Sequence, residues 1–430
     1  MSTYAEAEEY ISNIPKFAGK NTVEDTGRML KLLAGSVDGR IIHVAGTNGK
    51  GSVCAYLRSI LMQSGYSVGM FISPHLETTR ERICMDGEMI SEEEFTDIFE
   101  RVKECAIHAN EENLNHPSYF EFLFLMAMLY FKEKKPDMII LETGLGGRLD
   151  ATNCVKPDVC VITEIGYDHM QYLGNTIEEI AAEKAGIIKP GVPVIFVDKR
   201  PESTKVLAEY AKKAESPAVM IGKGNILNVN INNKSIDFSL HTGYYNYVSL
   251  LLSTTALYQV ENASLAVAAA EALLDERITP DVIREGLRAA YWPGRMEEVL
   301  PGIYLDGAHN EDGIEAFLNT VRQDGCKGKR FLLFGVVSDK QYETMIQRIA
   351  ESGLFGEAAV TVLQTDRSAS IDRLKCTWRQ YQITCSFHEN AEDAYEHLRD
   401  VRGGGDVIYI VGSLYLIGQM KNLIRRMQDD

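Results

Sequence analysis

The sequence predicts an α/β protein with two domains, a larger one built on a mostly parallel sheet and a smaller one of the same class. Three observations support this prediction. Short apolar runs alternate with helix-period segments, the pattern of βαβ units. A glycine-rich loop joins one apolar run to the helix that follows it. The 430 residues, 45% hydrophobic and 24% charged, suffice for more than one buried core.

Apolar runs in the first half of the chain predict buried, mostly parallel strands. They are Ile41–Ala45, Val68–Ile72, Met138–Leu141, Val159–Thr163 and Val194–Val197. Between Ile226 and Val248, apolar and polar residues alternate on either side of Asn232-Asn233, which predicts a small antiparallel insert. An alanine-rich helix is predicted over Ala263–Leu274.

The segment Trp292-Pro293-Gly294-Arg295, with its turn-forming Pro-Gly pair, predicts a domain boundary near Glu297. Beyond it the α/β alternation resumes. The strands predicted there are Ile303–Leu305, Phe331–Phe334, Ala359–Leu363 and Val407–Val411. The prediction therefore places one domain at residues 1–296 and a second at 297–430.

Composition excludes several classes of protein. Asp and Glu number 61 against 44 Lys and Arg, so the net charge of −17 argues against a broad basic face for nucleic acid. The longest apolar run, Phe122–Phe131, is about half the ~20 residues that a membrane helix needs. The eight cysteines form no C-x-x-C pair, and the first residues lack the features of a signal peptide. We therefore expect a cytoplasmic protein without membrane or nucleic-acid partners. A monomer is also predicted, although composition does not bear on it.

The strongest motif is the loop Gly46–Ser52, which lies between a predicted strand and a predicted helix. Glycines let backbone N–H groups surround phosphate oxygens, and the helix dipole and Lys50 add positive potential. The strict P-loop pattern is not met, because Val44 occupies its first glycine position and Gly51 separates Lys50 from Ser52. The alternative is a strand–helix turn without ligand. We predict phosphate binding.

Polar residues follow two further strand ends. Glu142 comes directly after one strand, and His169 follows another. Because ligands of open α/β sheets bind at the carboxyl ends of the strands, both side chains are expected near the phosphate loop. A carboxylate and an imidazole there predict a Mg²⁺ site, and the alternative for His169 is a hydrogen-bonded loop residue.

Lys184 lies in the apolar stripe of a predicted helix. Thr176 begins that helix with a capping box, and the helix is predicted to run towards Gly191. Lys184 shares its face with Ala181 and Ile188, where an unpaired ammonium is unfavourable. Either the side chain reaches out to solvent, or it faces the cleft, contacting phosphate or carrying a chemical modification.

Two more polar segments are candidates for a site. In the second domain, Asp306 and His309 follow a strand and Arg295 precedes the boundary, so a nucleotide between the domains is predicted; the alternative is helix capping. In the first, the loop Ser73–Leu76, with Arg80 and Arg82 after it, either covers a site or is a solvated connection. It leads into a hairpin predicted at Asp86-Gly87.

Segments spread over nearly the whole chain resemble the dihydrofolate synthase/folylpolyglutamate synthase family of the Mur-ligase superfamily. They are Gly46–Ser52, Ser73–Leu76, Glu142–Asn153, Gly166–His169, Glu183–Ile187, Pro293–Met296, Leu305–Asn310 and Gly412–Leu416. Phe17-Ala18-Gly19-Lys20 departs from the Phe-Gly-Leu-like entry that is usual in the family. The resemblance implies a P-loop-containing ATP-binding domain followed by a Rossmann-like glutamate-ligase domain.

The resemblance also implies an ATP-dependent amide ligase with Mg²⁺. ATP phosphorylates a carboxylate on dihydropteroate or a reduced folate, L-glutamate attacks the acyl phosphate, and ADP and phosphate leave. Nothing in the sequence decides between these acceptors. The alternatives are another superfamily ligase, acting on a cell-wall or polyglutamate acceptor, and a nucleotide-binding switch without ligase chemistry.

The resemblance assigns roles to residues in groups. ATP contacts are Gly49, Lys50, Gly51, Ser52, Asn262, Arg295 and Asp306, and the Mg²⁺ ligands are Ser73, Glu142 and His169. The pterin substrate is expected at Tyr119, Phe120, Glu121, Leu149, Asp150 and Ala151. Lys184 matches the family's carbamylated lysine (N6-carboxylysine), and the catalytic group is Lys184, His309 and Asp306, the last two near the incoming glutamate.

Overall fold

The computed structural model of the protein describes residues 2–15, 21–109, 114–232 and 234–429. The segment Phe17–Lys20, which departs from the family pattern, and Asn233 lie outside the described residues. The chain divides into two compact units. The first comprises Met1–Asn228, Phe238–Leu251 and Glu261–Ala290, and the second Val229–Asp237, Leu252–Val260 and Tyr291–Asp430. The predicted boundary between residues 296 and 297 stays a prediction.

The first unit is built on an eight-stranded sheet. Its strands are, across the sheet, β4 (Glu88–Met89), β3 (Ile83–Met85), β2 (Val68–Phe71), β5 (Met138–Glu142), β1 (Arg40–Ala45), β6 (Val159–Ile162), β7 (Val194–Asp198) and β8 (Ala218–Gly222). The six strands β2, β5, β1, β6, β7 and β8 are parallel to one another. At one edge, β3 pairs antiparallel with β2, and β4 pairs antiparallel with β3. The five predicted strands and the hairpin at Asp86-Gly87 are confirmed. Strand β8 was not predicted; it lies at the other edge, where only Ile221 is buried.

Helices cover this sheet because βαβ crossovers place them on its faces. They are α1 (Tyr4–Asn13), α2 (Val23–Ala34), α3 (Lys50–Gln63), α4 (Glu92–Ala109), α5 (Tyr119–Lys134), α6 (Met170–Leu173), α7 (Ile177–Ala185), α8 (Pro201–Lys213), α9 (Tyr258–Ala272) and α10 (Pro280–Ala289), with 3-10 turns at Thr79–Arg82 and Ala151–Cys154. The apolar run Phe122–Phe131 is buried in α5, where it packs in the core. In the described part of the chain, none of the helices combines the length and apolar character needed to cross a membrane.

Two predicted helix boundaries are wrong. Helix α7 ends at Ala185, well before Gly191. The next residue, Gly186, packs so closely on the backbone of Arg148 that a Cβ there would collide with it. Helix α9 begins at Tyr258, five residues before the predicted start. A short insert forms a separate sheet in the order β11 (Asn246–Leu252), β10 (Ser235–His241), β9 (Ile226–Asn232), as the alternating pattern predicted.

The second unit holds a six-stranded sheet. Across the sheet its strands are β12 (Glu297–Leu300), β13 (Ile303–Leu305), β17 (Val407–Val411), β14 (Arg330–Phe334), β15 (Glu357–Thr361) and β16 (Thr384–His388). Only the β12–β13 pairing is antiparallel. The helices are α11 (Glu311–Val321), α12 (Tyr342–Glu351), α13 (Ile371–Trp378), α14 (Ala391–Val401) and α15 (Leu414–Asp429). The four strands predicted here are confirmed, with β15 starting two residues earlier; the edge strands β12 and β16 were missed because their residues are only partly buried.

Candidate active site

The glycine-rich loop connects β1 to α3 and has room only for glycine at two positions. Gly46 and Gly49 have φ values of +151° and +90°. A Cβ at Gly46 would collide with the Thr163 hydroxyl, and one at Gly49 with the amide oxygen of Asn262. The predicted nucleotide residue Asn262 therefore lies directly against the loop.

Hydrogen bonds from the segment after β6 hold this loop in place. The Thr47 N–H donates to the Glu164 carbonyl at 2.8 Å, and the Thr163 hydroxyl donates to the Asn48 carbonyl at 2.6 Å. The Thr47 hydroxyl donates to the Gly166 carbonyl at 3.2 Å. These bonds fix the backbone of the loop at the helix N-terminus, an arrangement suited to an anion.

Two lysines converge on one carbonyl of the loop. Lys50 Nζ donates to the Gly46 oxygen at 3.1 Å, and Lys184 Nζ donates to the same oxygen at 2.8 Å. The Lys184 side chain is buried, so the prediction that it faces inward is confirmed and the solvent-reaching alternative is wrong. Burial first, and then the charge of Lys50, lower the pKa of Lys184 to about 7, against the opposing effect of Asp168 and Asp150.

Of the predicted metal ligands, Glu142 ends a strand beside the loop and Ser73 contacts Glu142. Glu142 is buried at the end of β5, where its carboxylate accepts the Ser73 N–H at 3.0 Å. The adjacent Thr143 hydroxyl is buried and has no hydrogen-bond partner among the described residues. His169 precedes α6 with a φ of +51°, and its backbone N–H donates to the Asp168 carboxylate at 2.9 Å. The structure thus joins Ser73 to Glu142 directly, whereas His169 lies on a separate, partly exposed turn.

The predicted pterin residues of α5 lie at the start of that helix. The buried Glu121 carboxylate accepts the Ser118 N–H at 2.9 Å and both the backbone N–H and the side-chain amide of Asn21, at 3.2 and 3.1 Å. The Phe120 ring packs on Gly144, where a Cβ would come within 2.6 Å of it. The capping-box pattern at Ser118 could have identified this role of Glu121, whereas nothing in the sequence pointed to Asn21.

The loop Ser73–Leu76 reaches Tyr119 through an arginine. The Arg82 guanidinium lies 5.3 Å from the centre of the Tyr119 ring, and its Nε donates to His75 Nδ1 at 3.0 Å. Arg82 is buried. The loop is therefore anchored to α5 and is more than a solvated connection, while its part in a site stays a prediction.

Asp150 organises the loop after β5. One carboxylate oxygen accepts the N–H groups of Gly144 and Leu145, both at 2.9 Å, and the other accepts the Thr152 N–H at 3.0 Å and hydroxyl at 2.6 Å. The neighbouring Leu149 side chain is exposed, and Ala151 is buried. Asp150 therefore has a structural function that its predicted substrate role did not include.

In the second unit, Asp306 is buried at the end of β13. Its carboxylate accepts the Tyr258 hydroxyl at 2.5 Å and the N–H groups of Met296 and Ala308 at 3.0 and 2.9 Å. Burial raises the pKa of Asp306, and the Arg295 charge opposes that rise. Tyr258 was missed because a tyrosine 48 residues away carries no local sign of this contact.

His309 and Arg295 lie beside Gly307 in the same unit. His309 Nδ1 is 2.8 Å from the Gly307 carbonyl; since a carbonyl only accepts, Nδ1 carries the proton. A Cβ at Gly307 would collide with the Arg295 guanidinium. Asn310, next in sequence, caps α11 by accepting the Gly313 N–H at 2.8 Å. The structure brings Arg295, Asp306 and His309 together as the sequence predicted.

Comparisons with known proteins agree with these motifs. Residues 44–270 match the Mur ligase middle domain, and residues 294–414 match the Mur ligase, glutamate ligase domain. A dihydrofolate synthase/folylpolyglutamate synthase of Bacillus subtilis is 36% identical over 99% of this chain and 100% of its own length. An Escherichia coli FolC solved with DHPP and ADP has a TM-score of 0.88 and 27% identity, covering 99% of both chains. An FPGS–AMPPCP–folate complex has a TM-score of 0.83 and 28% identity, covering 98% of this chain and all of the other.

Proposed function

The chain belongs to the dihydrofolate synthase/folylpolyglutamate synthase family of Mur ligases, and from that premise we propose how its residues catalyse the reaction. It is an ATP-dependent ligase that joins L-glutamate to a folate-type carboxylate. One observation carries the proposal for the site: the ammonium groups of Lys50 and Lys184 meet at the Gly46 carbonyl, inside a loop shaped for phosphate.

In the first step, a carboxylate oxygen of the acceptor attacks the γ-phosphorus of ATP, forming an acyl phosphate and releasing ADP. Such a transfer depends on positioning and on neutralising phosphate charge. The loop N–H groups and Lys50 supply this neutralisation, and Asn262, packed against Gly49, borders the same nucleotide. Arg295 and Asp306 are further nucleotide contacts that the family resemblance implies.

In the second step, the amine of L-glutamate attacks the acyl carbon, the amide bond forms, and inorganic phosphate leaves. The amine attacks in its uncharged form and must lose one proton as the amide forms. His309 is assigned as the acceptor of that proton through Nε2, because the hydrogen bond to the Gly307 carbonyl keeps the other ring proton on Nδ1. Asp306 holds two backbone segments in place by accepting the N–H groups of Ala308, next to His309, and of Met296.

Mg²⁺ is proposed at Ser73, Glu142 and His169. A buried carboxylate and a serine hydroxyl are oxygen donors of the kind this ion prefers, and the orphaned Thr143 hydroxyl beside Glu142 adds a polar group to the position. Ser73, Glu142 and His169 would hold the ion through one carboxylate, one hydroxyl and one imidazole, and Mg²⁺ in such sites would also bind substrate phosphate and water. When bound, the ion neutralises charge on the transferred phosphate.

Lys184 is proposed to be carbamylated. Because its pKa is about 7, a large fraction of the amine is uncharged at neutral pH and can attack CO₂, forming an N–C bond and releasing one proton. The product is a carbamate anion: its Nζ keeps one hydrogen, which can still donate to the Gly46 carbonyl, and its two oxygens, which only accept, would face cations at the loop. This accounts for a lysine in an apolar stripe.

The pterin portion of the acceptor is assigned to the surface formed by Tyr119, Phe120 and the loop after β5. Aromatic rings at the start of α5 suit a flat heterocycle. Both dihydropteroate and reduced folate are proposed as acceptors, because the Bacillus relative that matches the whole chain is named for both activities. A monomer is expected, which sedimentation of the same preparation would test.

A product-mass assay tests the proposal. The protein is incubated with Mg-ATP, L-glutamate and either dihydropteroate or tetrahydrofolate, and one added glutamyl unit is expected on each, together with ADP and phosphate. Lys50→Met should abolish product, whereas Lys205→Met, on the exposed face of α8, should not. Product on one acceptor alone would refute the dual specificity, and product on neither would refute the proposed acceptors.

A further inference from the structure

A fully buried histidine lies on the strand that carries the phosphate loop. His43 is on β1, three residues before Gly46, in the middle of the parallel sheet. Its Nε2 is 2.7 Å from the hydroxyl of Thr152, which is also buried. Its Nδ1 is buried and has no hydrogen-bond partner within the described ranges.

The hydrogen-bond directions in this cluster follow from the donors available. The Thr152 hydroxyl lies 2.6 Å from a carboxylate oxygen of Asp150, which can only accept, so the hydroxyl proton points towards Asp150. The Thr152 oxygen must therefore accept from His43, whose proton is on Nε2. Burial, with a smaller effect of the Lys189 charge, lowers the pKa of His43 to about 3, which keeps the ring neutral.

The chain of hydrogen bonds continues beyond Asp150. Its second carboxylate oxygen accepts the N–H groups of Gly144 and Leu145, the residues that follow Glu142 and Thr143. One continuous series of side-chain bonds thus runs from the phosphate-loop strand to the loop at the end of β5. This loop carries residues assigned above to the acceptor and to Mg²⁺.

We propose that His43 is a positioning residue. Through Thr152 and Asp150, it holds the loop after β5, which is assigned to the acceptor, at a fixed position relative to the phosphate loop. The inference rests on the proposed function, because it takes from it the role of the loop after β5. A leucine at this position would fill the core without leaving a buried ring nitrogen unpaired. What the histidine adds to the fold is therefore its hydrogen bond to Thr152.

Steady-state kinetics of two variants separates positioning from packing. His43→Leu removes the donor at similar volume, and we expect the KM of the acceptor to rise about two- to tenfold, the value of one buried hydrogen bond. The KM of ATP should stay unchanged, and urea unfolding checks that the variant is folded. His43→Gln, whose side-chain amide can donate to Thr152, should restore the acceptor KM. Equal changes in both KM values, or no rescue by glutamine, would overturn the proposal.

A double-mutant cycle tests the route of the effect. Thr152→Val removes both the bond from His43 and the bond to Asp150, so adding His43→Leu should not raise the acceptor KM further. Additive effects would refute the chain of bonds.

Nitrogen NMR of labelled histidine gives a readout besides activity. Nε2 of His43 should be protonated and Nδ1 unprotonated, unchanged between pH 6 and 8, and the opposite tautomer would also overturn the proposal. The activity of the wild type on the two acceptors tests the proposed function independently. A failure of the proposed function can therefore be distinguished from a failure of the role of His43.

Discussion

The buried ammonium of Lys184 should make the stability of the protein depend on pH in a way that one substitution removes. Its pKa is about 7, against 10.5 for an ordinary lysine. Below pH 7 both the folded and the unfolded chain are protonated here, and folding must bury the charge. Above pH 7 the folded chain releases the proton, while the unfolded chain keeps it up to pH 10.5. Stability therefore rises with pH between these values.

The size of the effect follows from the difference between the two pKa values. Each unit of pH is worth about 1.4 kcal/mol in this window, and the full difference corresponds to about 5 kcal/mol. Lys184→Met keeps an unbranched side chain of similar length and removes the titrating group. Between pH 7 and pH 9, the unfolding free energy of the wild type should rise relative to this variant by about 2–3 kcal/mol.

Urea unfolding at pH 7, 8 and 9 measures this difference. The buffers must be free of CO₂, because carbamylation would remove the titrating amine. Lys205→Met, an exposed lysine on α8, controls for the loss of one positive charge. If the wild type and Lys184→Met kept a constant difference in unfolding free energy over this range, the argument from burial would be wrong. Added bicarbonate should stabilise the wild type and leave Lys184→Met unaffected.

Further substitutions test other parts of the site. Gly49→Ala forces a Cβ against a neighbouring amide in a left-handed backbone, so AMPPCP affinity measured by calorimetry should fall about tenfold or more. Glu142→Gln removes a buried charge, and the Mg²⁺ concentration for half-maximal rate should rise about tenfold or more, with the exposed Glu202→Gln as control. Tyr258→Phe takes one donor from the buried Asp306 carboxylate and should lower the unfolding free energy by about 1–3 kcal/mol in a urea titration.

Each of these expectations has its own contrary result. Unchanged AMPPCP binding would show that the loop tolerates a side chain. A magnesium profile identical to that of Glu202→Gln would remove Glu142 from the metal site. An undiminished unfolding free energy in Tyr258→Phe would mean that the phenol adds nothing to the two backbone N–H groups that Asp306 already accepts.

Most of the central strands could be predicted because a buried parallel strand is apolar on both faces. Runs such as Ile41–Ala45 and Val159–Thr163 are therefore visible along the chain. Edge strands such as β8 and β16 are covered on fewer sides, so their composition is mixed and periodicity does not reveal them. The close approach of Gly186, just after α7, to the backbone of Arg148 was missed for another reason: Arg148 is remote in sequence.

The candidate site residues also divide into those that local pattern indicates and those that depend on distant partners. Lys50 and Glu142 stand beside strand ends and helix starts, so local pattern and resemblance both identify them. The inward placement of Lys184 was predicted from helical periodicity alone, and the structure confirms it. Tyr258 and His43 were not identified, because each acts through a partner more than 40 residues away.

By itself the sequence determined the α/β class and the family, since apolar runs and short motifs are each formed by residues close together in the chain, and it nominated the groups proposed to react. Only the tertiary structure decided which of the polar groups meet. It placed Lys184 on the carbonyl of Gly46, turned the Asp150 carboxylate towards its own loop, and joined that loop to His43. The reason is physical: the pKa of a buried group and the direction of a hydrogen bond depend on neighbours supplied by distant segments, and those neighbours exist only once the chain is folded.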